Sequence, residues 1–445
     1  MKEDFVVAER MAEEMDLAEK MCRRAIWLYL VLLVFEGALR KWFLPSLATP
    51  LLLVRDPIAI YLMFEGFRHR WLTSGYVKVM MTVASVSALA TLLLGHHNLF
   101  VSLYGWRIYF FHFPVIFVMG KVLARDDLLK MGRFFLYLSI PMTLLVVAQF
   151  YSPQTAWVNV GVGGEGGAGF GGALGYMRPP GTFSFTSGYV SFQAVVGCFL
   201  LYFLVSNELL DEERRLPKWM LAVAVVCYLV SIPTSISRTH FFQTLVFLAF
   251  LGMAAFRKNR LKVYFLQAVV LTSLAVFILS AWGVADTMME AFNARFTGAN
   301  EVEGGVRGVL GERYVGGLLG AFLNTDIPIC GYGMGLGTNA GASLMGGNMY
   351  SFGFNAEVEW ERVLGECGLL MGTVILGVRL LFSLDICYKA YRCLIARTDM
   401  LPWMLSAGMM LTVPQGQWGI PTNLGFCILF GGLALAAVKT SEEED

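Results

Sequence analysis

A dense group of ionisable side chains lies between residues 355 and 368. Four carboxylates and one guanidinium open an otherwise apolar segment: Glu357, Glu359, Glu361, Glu366 and Arg362. Ionised side chains are costly in lipid, so such a cluster must face protein, water or a charged ligand. A carboxylate held in such a place can take a proton from a hydroxyl group. The segment therefore predicts a site with a carboxylate as its general base.

The spacing within this segment suggests how the charges divide. On a continuous helix Glu357 and Glu361 share one face at i, i+4, whereas Glu359 and Arg362 share another at i, i+3. Arg362 can neutralise one or two carboxylates, which leaves at least one as a base. We assign this role to Glu357, with Glu359 or Glu361 as the substitute if the phase of the helix differs. The alternative is a helix N-terminus that carries carboxylates because they suit its dipole.

Arginines near the ends of apolar segments form a second group of candidates. They are Arg40, Arg178, Arg238, Arg307 and Arg313. Arginine forms bidentate pairs with phosphate, whereas lysine acts more as a point charge. Two or three guanidinium groups around a diphosphate would stabilise the charge that develops on it as a leaving group. We expect Arg238 and Arg313 to fill this role, with Arg178 and Arg307 binding beside them.

Simpler roles remain open for these arginines. Arg238 can extend to lipid phosphates from the edge of the bilayer, and Arg313 can pair with the adjacent Glu312. Metal ligation is not expected, because the eight cysteines are scattered without a Cys-x-x-Cys pair. No cofactor is expected either. The glycine-rich run at residues 331–338 lacks the lysine of a P-loop, and it is better suited to close backbone approach to a ligand or a helix.

The composition predicts the scaffold that must position these groups. The 445 residues are 57% hydrophobic and only 15% charged, with a mean hydropathy of +0.62. Soluble domains carry about 25% charged residues, so this chain belongs in a bilayer. Apolar runs long enough to span predict an all-α polytopic protein with about twelve transmembrane helices. They lie near residues 25–39, 50–66, 79–95, 107–123, 134–151, 188–206, 218–234, 239–256, 263–283, 358–386, 400–414 and 422–438.

The distribution of basic residues predicts the orientation. With a cytoplasmic N-terminus, most of the 34 lysines and arginines fall in short inner segments, as the positive-inside rule requires. Both termini are then cytoplasmic. Residues 1–24 form an amphipathic N-terminal segment, residues 25–438 the transmembrane domain, and residues 439–445 an acidic tail. Two long outer loops, 152–187 and 284–356, hold three of the candidate arginines, Arg178, Arg307 and Arg313.

Several segments together resemble the O-antigen ligase and polymerase superfamily of multi-span glycosyltransferases. The similar pieces lie within residues 170–380 and keep the same order. They are Arg-Pro-Pro-Gly-Thr-Phe at 178–183, Ser-Ile-Ser-Arg at 235–238, Arg313, the glycine-rich run that follows Pro328, and the segment 364–369. Residues 35–42 and 55–57 also look like a pattern of bacterial polysaccharide polymerases.

The resemblance implies a GT-C-type membrane fold and a glycan donor carried on undecaprenyl diphosphate. Arg238 and Arg313 match the positions of the family's essential arginines. Ligases of this superfamily usually have a histidine eleven residues before the glycine that matches Gly368, and Glu357 stands there in this chain. This difference favours a polymerase that joins glycan repeat units. The alternatives are a ligase that transfers finished glycan to a lipid or protein acceptor, and a transporter or flippase of lipid-linked sugars.

The resemblance also predicts partners and location. The protein would lie in the bacterial inner membrane with its active site facing the periplasm. Its substrates would be a polyprenyl-diphosphate-linked oligosaccharide donor and a glycan acceptor, with Glu359, Glu361 and Arg40 among the substrate-binding residues. A chain-length regulator or a flippase is the expected kind of protein partner, and no nucleic acid is expected.

Overall fold

A computed structural model describes residues 2–167, 169–257, 263, 266, 286–303, 320–322, 327–346 and 354–443. These parts of the chain are almost entirely helical. The first half contains α1 (Lys2–Ala38), α2 (Asp56–Arg68), α3 (Gly75–Leu94), α4 (Leu99–Arg107), α5 (Phe113–Val122), α6 (Arg125–Tyr151) and α7 (Thr186–Ser206). The second half contains α8 (Lys218–Thr234), α9 (Arg238–Arg257), α10 (Asp286–Glu303), α11 (Asn339–Leu344), α12 (Glu359–Arg397), α13 (Met400–Thr412) and α14 (Pro421–Glu443).

Short irregular turns of helix connect some of these elements. π-helical turns, Leu39–Phe43 and Ile108–His112, extend α1 and join α4 to α5. Single 3-10 turns lie at Pro45–Leu47, Pro50–Leu53, Trp157–Asn159, Val162–Gly164, Asn207–Leu209 and Glu212–Arg214. Among the described residues the strands are β1 (Gly171–Ala173) and β2 (Tyr176–Met177), an antiparallel hairpin in the loop after α6.

Within the described residues, eight helical segments are long and apolar enough to cross a membrane. They are Gly75–Leu94, Leu99–Val122, Arg125–Tyr151, Thr186–Leu209, Glu212–Thr234, Arg238–Arg257, Glu359–Arg397 and Pro421–Glu443. The chain is therefore an all-α multi-pass membrane protein. Of the other predicted spans, 25–39 lies in α1, whereas 50–66 and 400–414 correspond to α2 and α13, each of 13 residues. The predicted span at 263–283 falls outside the described residues except for two isolated positions.

The helix α14 forms the centre of the bundle. It packs against α5, α13, α12, α6 and α7, and nearly all of its residues are buried. Small residues allow the close approach, since a Cβ on Gly120 would lie 2.5 Å from side-chain carbons of Leu435. Apolar burial does not drive helices together in lipid, so close van der Waals packing of this kind is what holds such a bundle.

Candidate active site

The Arg178–Phe183 segment follows the β-hairpin and precedes α7. The backbone NH of Arg178 donates to the carbonyl of Phe170 at 2.9 Å. Gln149, near the end of α6, grips the next turn: its Oε1 accepts from the NH of Gly181 at 2.8 Å, and its Nε2 donates to the Gly181 carbonyl at 3.2 Å. The two intervening prolines are buried and fix the backbone further. The segment is thus a rigid base for the Arg178 side chain.

The end of α1 holds the same segment from the other side. Thr182 Oγ1 donates to the Val34 carbonyl at 2.8 Å, and Lys41 Nζ donates to the carbonyls of Gly181 and Phe183 at 2.6 and 3.0 Å. The backbones approach so closely that a Cβ on Gly37 would lie 2.4 Å from the Thr182 carbonyl oxygen. Two sequence motifs that are more than 130 residues apart therefore form one unit, as the interaction of Lys41 with Gly181 spans 140 positions.

Arg40 serves this unit through contacts within the protein. Its Nε donates to the Ala48 carbonyl at 2.7 Å, and its NH1 donates to Ser184 Oγ at 3.0 Å and lies 3.5 Å from Glu36 Oε1. Only 8% of the residue is exposed, and this burial lowers the pKa of Arg40. We place Arg40 among the groups that fix the segment rather than among those that bind substrate directly.

Arg238 is the first residue of α9, directly after the turn that ends α8. Ile236 in this turn is buried in a small apolar cluster with Phe150, Met288 and Ala291. Tyr176 of β2 packs onto the cluster, with its ring stacked on that of Phe150 at 4.7 Å. The cluster thus joins the end of α6, the α8–α9 turn, the hairpin and α10.

This cluster brings three arginines towards one place. Tyr176 lies two residues before Arg178, and Ile236 lies two residues before Arg238. Ala291 lies one helical turn before Arg295. Burial and the positive charges of Arg295 and Arg238 together lower the pKa of Arg178. The Nε of Arg178 is buried without a hydrogen-bond partner among the described residues. A buried guanidinium donor with an open position, close to two other positive charges, is suited to bind an anion.

The remaining predicted arginines cannot be placed in this way. Arg307 and Arg313 lie in the segment 304–319, outside the described residues.

Glu357 lies on the exposed turn before α12 and not within the helix. Its backbone NH donates to Asn355 Oδ1 at 3.0 Å, and its carbonyl accepts from Gln417 Nε2 at 2.6 Å. Glu361 Oε1 accepts from the NH of Asn355 at 2.8 Å and so closes the same turn. The prediction that Glu357 and Glu361 share a helical face is wrong because the helix begins only at Glu359.

Glu359 has a different environment from its two neighbours. Its oxygens accept from Nε and NH2 of Arg362, both at 2.9 Å, and from NH1 of Arg379 at 2.6 Å. The predicted i, i+3 pair with Arg362 is therefore confirmed. Arg362 NH1 also lies 2.8 Å from Glu366 Oε2, and every member of this network is buried. We place Glu359 inside this network rather than among the groups that can meet substrate or act as a base.

The glycine-rich run at 331–338 packs against α12, as close backbone approach to a helix requires. α12 is broken at Gly368, where φ is +77°, and this frees the carbonyls of Gly365 and Glu366. These accept from the NH groups of Tyr332 and Gly333 at 2.8 and 3.0 Å. A Cβ on Gly331 would lie 2.5 Å from the Glu366 carbonyl oxygen, so only glycine fits. The run shapes the start of α12.

A second network of charged side chains, most of them buried, was not foreseen from the sequence. Asp56 accepts from Arg107 NH1 at 2.9 Å and pairs with His112 Nε2 at 3.0 Å, whereas Arg55 pairs with Glu36 at 3.2 Å. These charges meet from α1, α2 and the α4–α5 junction. Spacing along the chain could not reveal them, because each of these pairs joins residues from different elements.

The described residues contain no group of three or more histidine, cysteine, aspartate or glutamate side chains that could hold a metal ion.

The structure brings together two groups of the predicted residues. These are Arg178 with Arg238, and Glu357 with Glu361 at the start of α12.

Comparison with known proteins adds no family to these observations. No protein-family model matches the chain, and no curated protein matches it either.

Proposed function

We propose that the protein is a membrane glycosyltransferase that polymerises glycan repeat units carried on undecaprenyl diphosphate. The observation that supports this most is that Arg178 and Arg238 both closely follow residues of one apolar cluster, at the end of the bundle where α6 and α8 finish. Paired arginines favour phosphate oxygens as partners. The rigid backbone at Arg178 holds its guanidinium group where negative charge develops on the leaving diphosphate. The described fold is an all-α membrane bundle, which suits a lipid-linked substrate.

In this proposal the reaction is a direct displacement at the anomeric carbon. Glu357 takes the proton of the acceptor hydroxyl while the oxygen of that hydroxyl bonds to the anomeric carbon, and the bond from this carbon to the diphosphate breaks. The electron pair of the broken bond passes to the diphosphate, where Arg238 and Arg178 stabilise it, with Arg313 and Arg307 as further candidates. Attack opposite the leaving group inverts the anomeric configuration. The guanidinium groups supply the positive charge, so no metal or other cofactor takes part.

The setting is the outer face of the bacterial inner membrane. The proposal includes about twelve spans in a GT-C-type arrangement with both termini in the cytoplasm. Glu361 shapes the turn that carries Glu357, and the acceptor glycan approaches this exposed turn. A chain-length regulator or a flippase would work alongside the protein.

The experiment is chain growth by the purified protein in lipid vesicles. Lipid-linked glycan extracted from the source cells is supplied together with a chelator and without nucleotide. Longer chains that remain on the polyprenyl carrier support a polymerase. Transfer to a separate lipid or protein acceptor would support the ligase alternative, and no transfer of any kind would refute the proposal.

A transporter of anionic lipid-linked sugars is the second candidate. The buried charges of Arg55 and Arg107, with the half-buried Asp56, favour it, because charged residues inside a membrane bundle often line a transport path. These charges are matched by opposite charges at hydrogen-bonding distance, which is more typical of a fixed scaffold. Movement of labelled lipid-linked glycan across the vesicle membrane without chain growth would favour the transporter.

A further inference from the structure

A third arginine, Arg295, lies with the two that the sequence had singled out. It belongs to α10, which packs on β1 and on α8, the elements that precede Arg178 and Arg238. Met288 and Ala291 of the same helix are buried in the apolar cluster that anchors both of those arginines. The position of Arg295 is therefore set by packing.

The three guanidinium groups differ in their surroundings. Arg178 is partly buried and has an open Nε donor, whereas Arg295 is exposed. No carboxylate of the described residues offsets the like charges that act on Arg178. The exposed guanidinium of Arg295 attracts any additional negative charge on a bound ligand. It adds little to the direct contacts that hold the ligand at Arg178. Arg295 is thus suited to respond to a change of charge on a ligand that Arg178 already holds.

We propose that Arg295 is a binding residue that selects a diphosphate with a free terminal phosphate over a diphosphate esterified at both ends. This inference rests on the proposed function. In that reaction the doubly esterified donor becomes a singly esterified leaving group and gains one negative charge. A residue that favours the product charge stabilises the transition state more than the bound donor, and so it raises kcat more than it lowers KM.

The test uses two small probes in place of the unidentified donor. Methyl diphosphate resembles the leaving group, and P1,P2-dimethyl diphosphate resembles the bound donor. Their affinities for the full-length protein in detergent are measured by calorimetry. We expect Arg295→Gln to weaken methyl diphosphate binding by about tenfold and dimethyl diphosphate binding much less, so that the preference between them falls. Arg295→Lys should retain part of the preference.

Matched variants separate this role from a general loss of structure. Glu290→Gln removes an exposed charge from the same helix and should leave the preference unchanged. A disturbed fold would weaken the binding of both probes equally, whereas loss of the proposed role weakens the binding of methyl diphosphate selectively. An unchanged preference in Arg295→Gln would therefore overturn the inference. The probes need no enzymatic turnover. If the preference depends on Arg295 but no chain growth is found with lipid-linked glycan, the inference stands and the proposed polymerase activity fails.

Discussion

Replacing Lys41 with methionine should remove a pH dependence from the stability of the protein. Lys41 is 2% exposed, and its Nζ lies 4.4 Å from the centre of the Trp42 ring. Its two hydrogen-bond acceptors, the carbonyls of Gly181 and Phe183, are uncharged. Burial without a carboxylate partner lowers the pKa of Lys41 to about 7, against an ordinary value of 10.5.

This difference in pKa sets both the sign and the size of the effect. Between pH 7 and 10.5 the unfolded chain binds a proton at Lys41 that the folded protein does not. The free energy of unfolding therefore rises with pH across this window, by about 1.4 kcal/mol per pH unit and about 5 kcal/mol in all. Below pH 7 both states carry the proton, and the folded protein bears the full cost of the buried charge.

The assay is thermal unfolding of the detergent-solubilised protein at half-unit steps from pH 6 to 9. We expect the melting temperature of the wild type to rise above pH 7 and that of Lys41→Met to rise less. Lys218→Met is the matched control, because 86% of that side chain is exposed and its loss should leave the profile unchanged. The diagnostic quantity is the slope, since methionine also leaves two carbonyls without a donor. Identical slopes for wild type and Lys41→Met would refute the reasoning.

Other substitutions test the acidic segment and its support. Glu357→Gln should lower the rate of chain growth by about 10²–10⁴-fold through loss of the general base, while Glu361→Gln should have a smaller effect. Equal rates for Glu357→Gln and wild type in the vesicle assay would rule out Glu357 as the base. Glu359→Gln should destabilise the fold by about 3–5 kcal/mol, because it leaves buried guanidinium groups without their counter-charge, and an unchanged melting temperature would contradict this. Gly331→Ala should cost about 1–3 kcal/mol or more, since φ is +74° and the Cβ meets backbone. Gly377→Ala, where a Cβ meets nothing within 4 Å, is its control in the same unfolding measurement.

Local spacing was sufficient for part of this picture. The apolar runs predicted a helical membrane protein, and the i, i+3 spacing predicted the pair of Glu359 with Arg362. The glycines at 331–338 indicated close backbone approach. In each case the interacting groups are near neighbours, or the property belongs to the segment itself, so composition and periodicity contain the information.

The sequence by itself determined the helical membrane class and the residue types able to bind phosphate. Only the tertiary structure decided which of them meet. Arg379 reaches Glu359 from 20 positions away, and Lys41 reaches Gly181 from 140. The apolar cluster that brings Arg295 to Arg178 combines residues from α6, the α8–α9 turn and α10. Such contacts depend on how whole helices pack, and this depends on side-chain shapes across the bundle, which no spacing along one helix encodes.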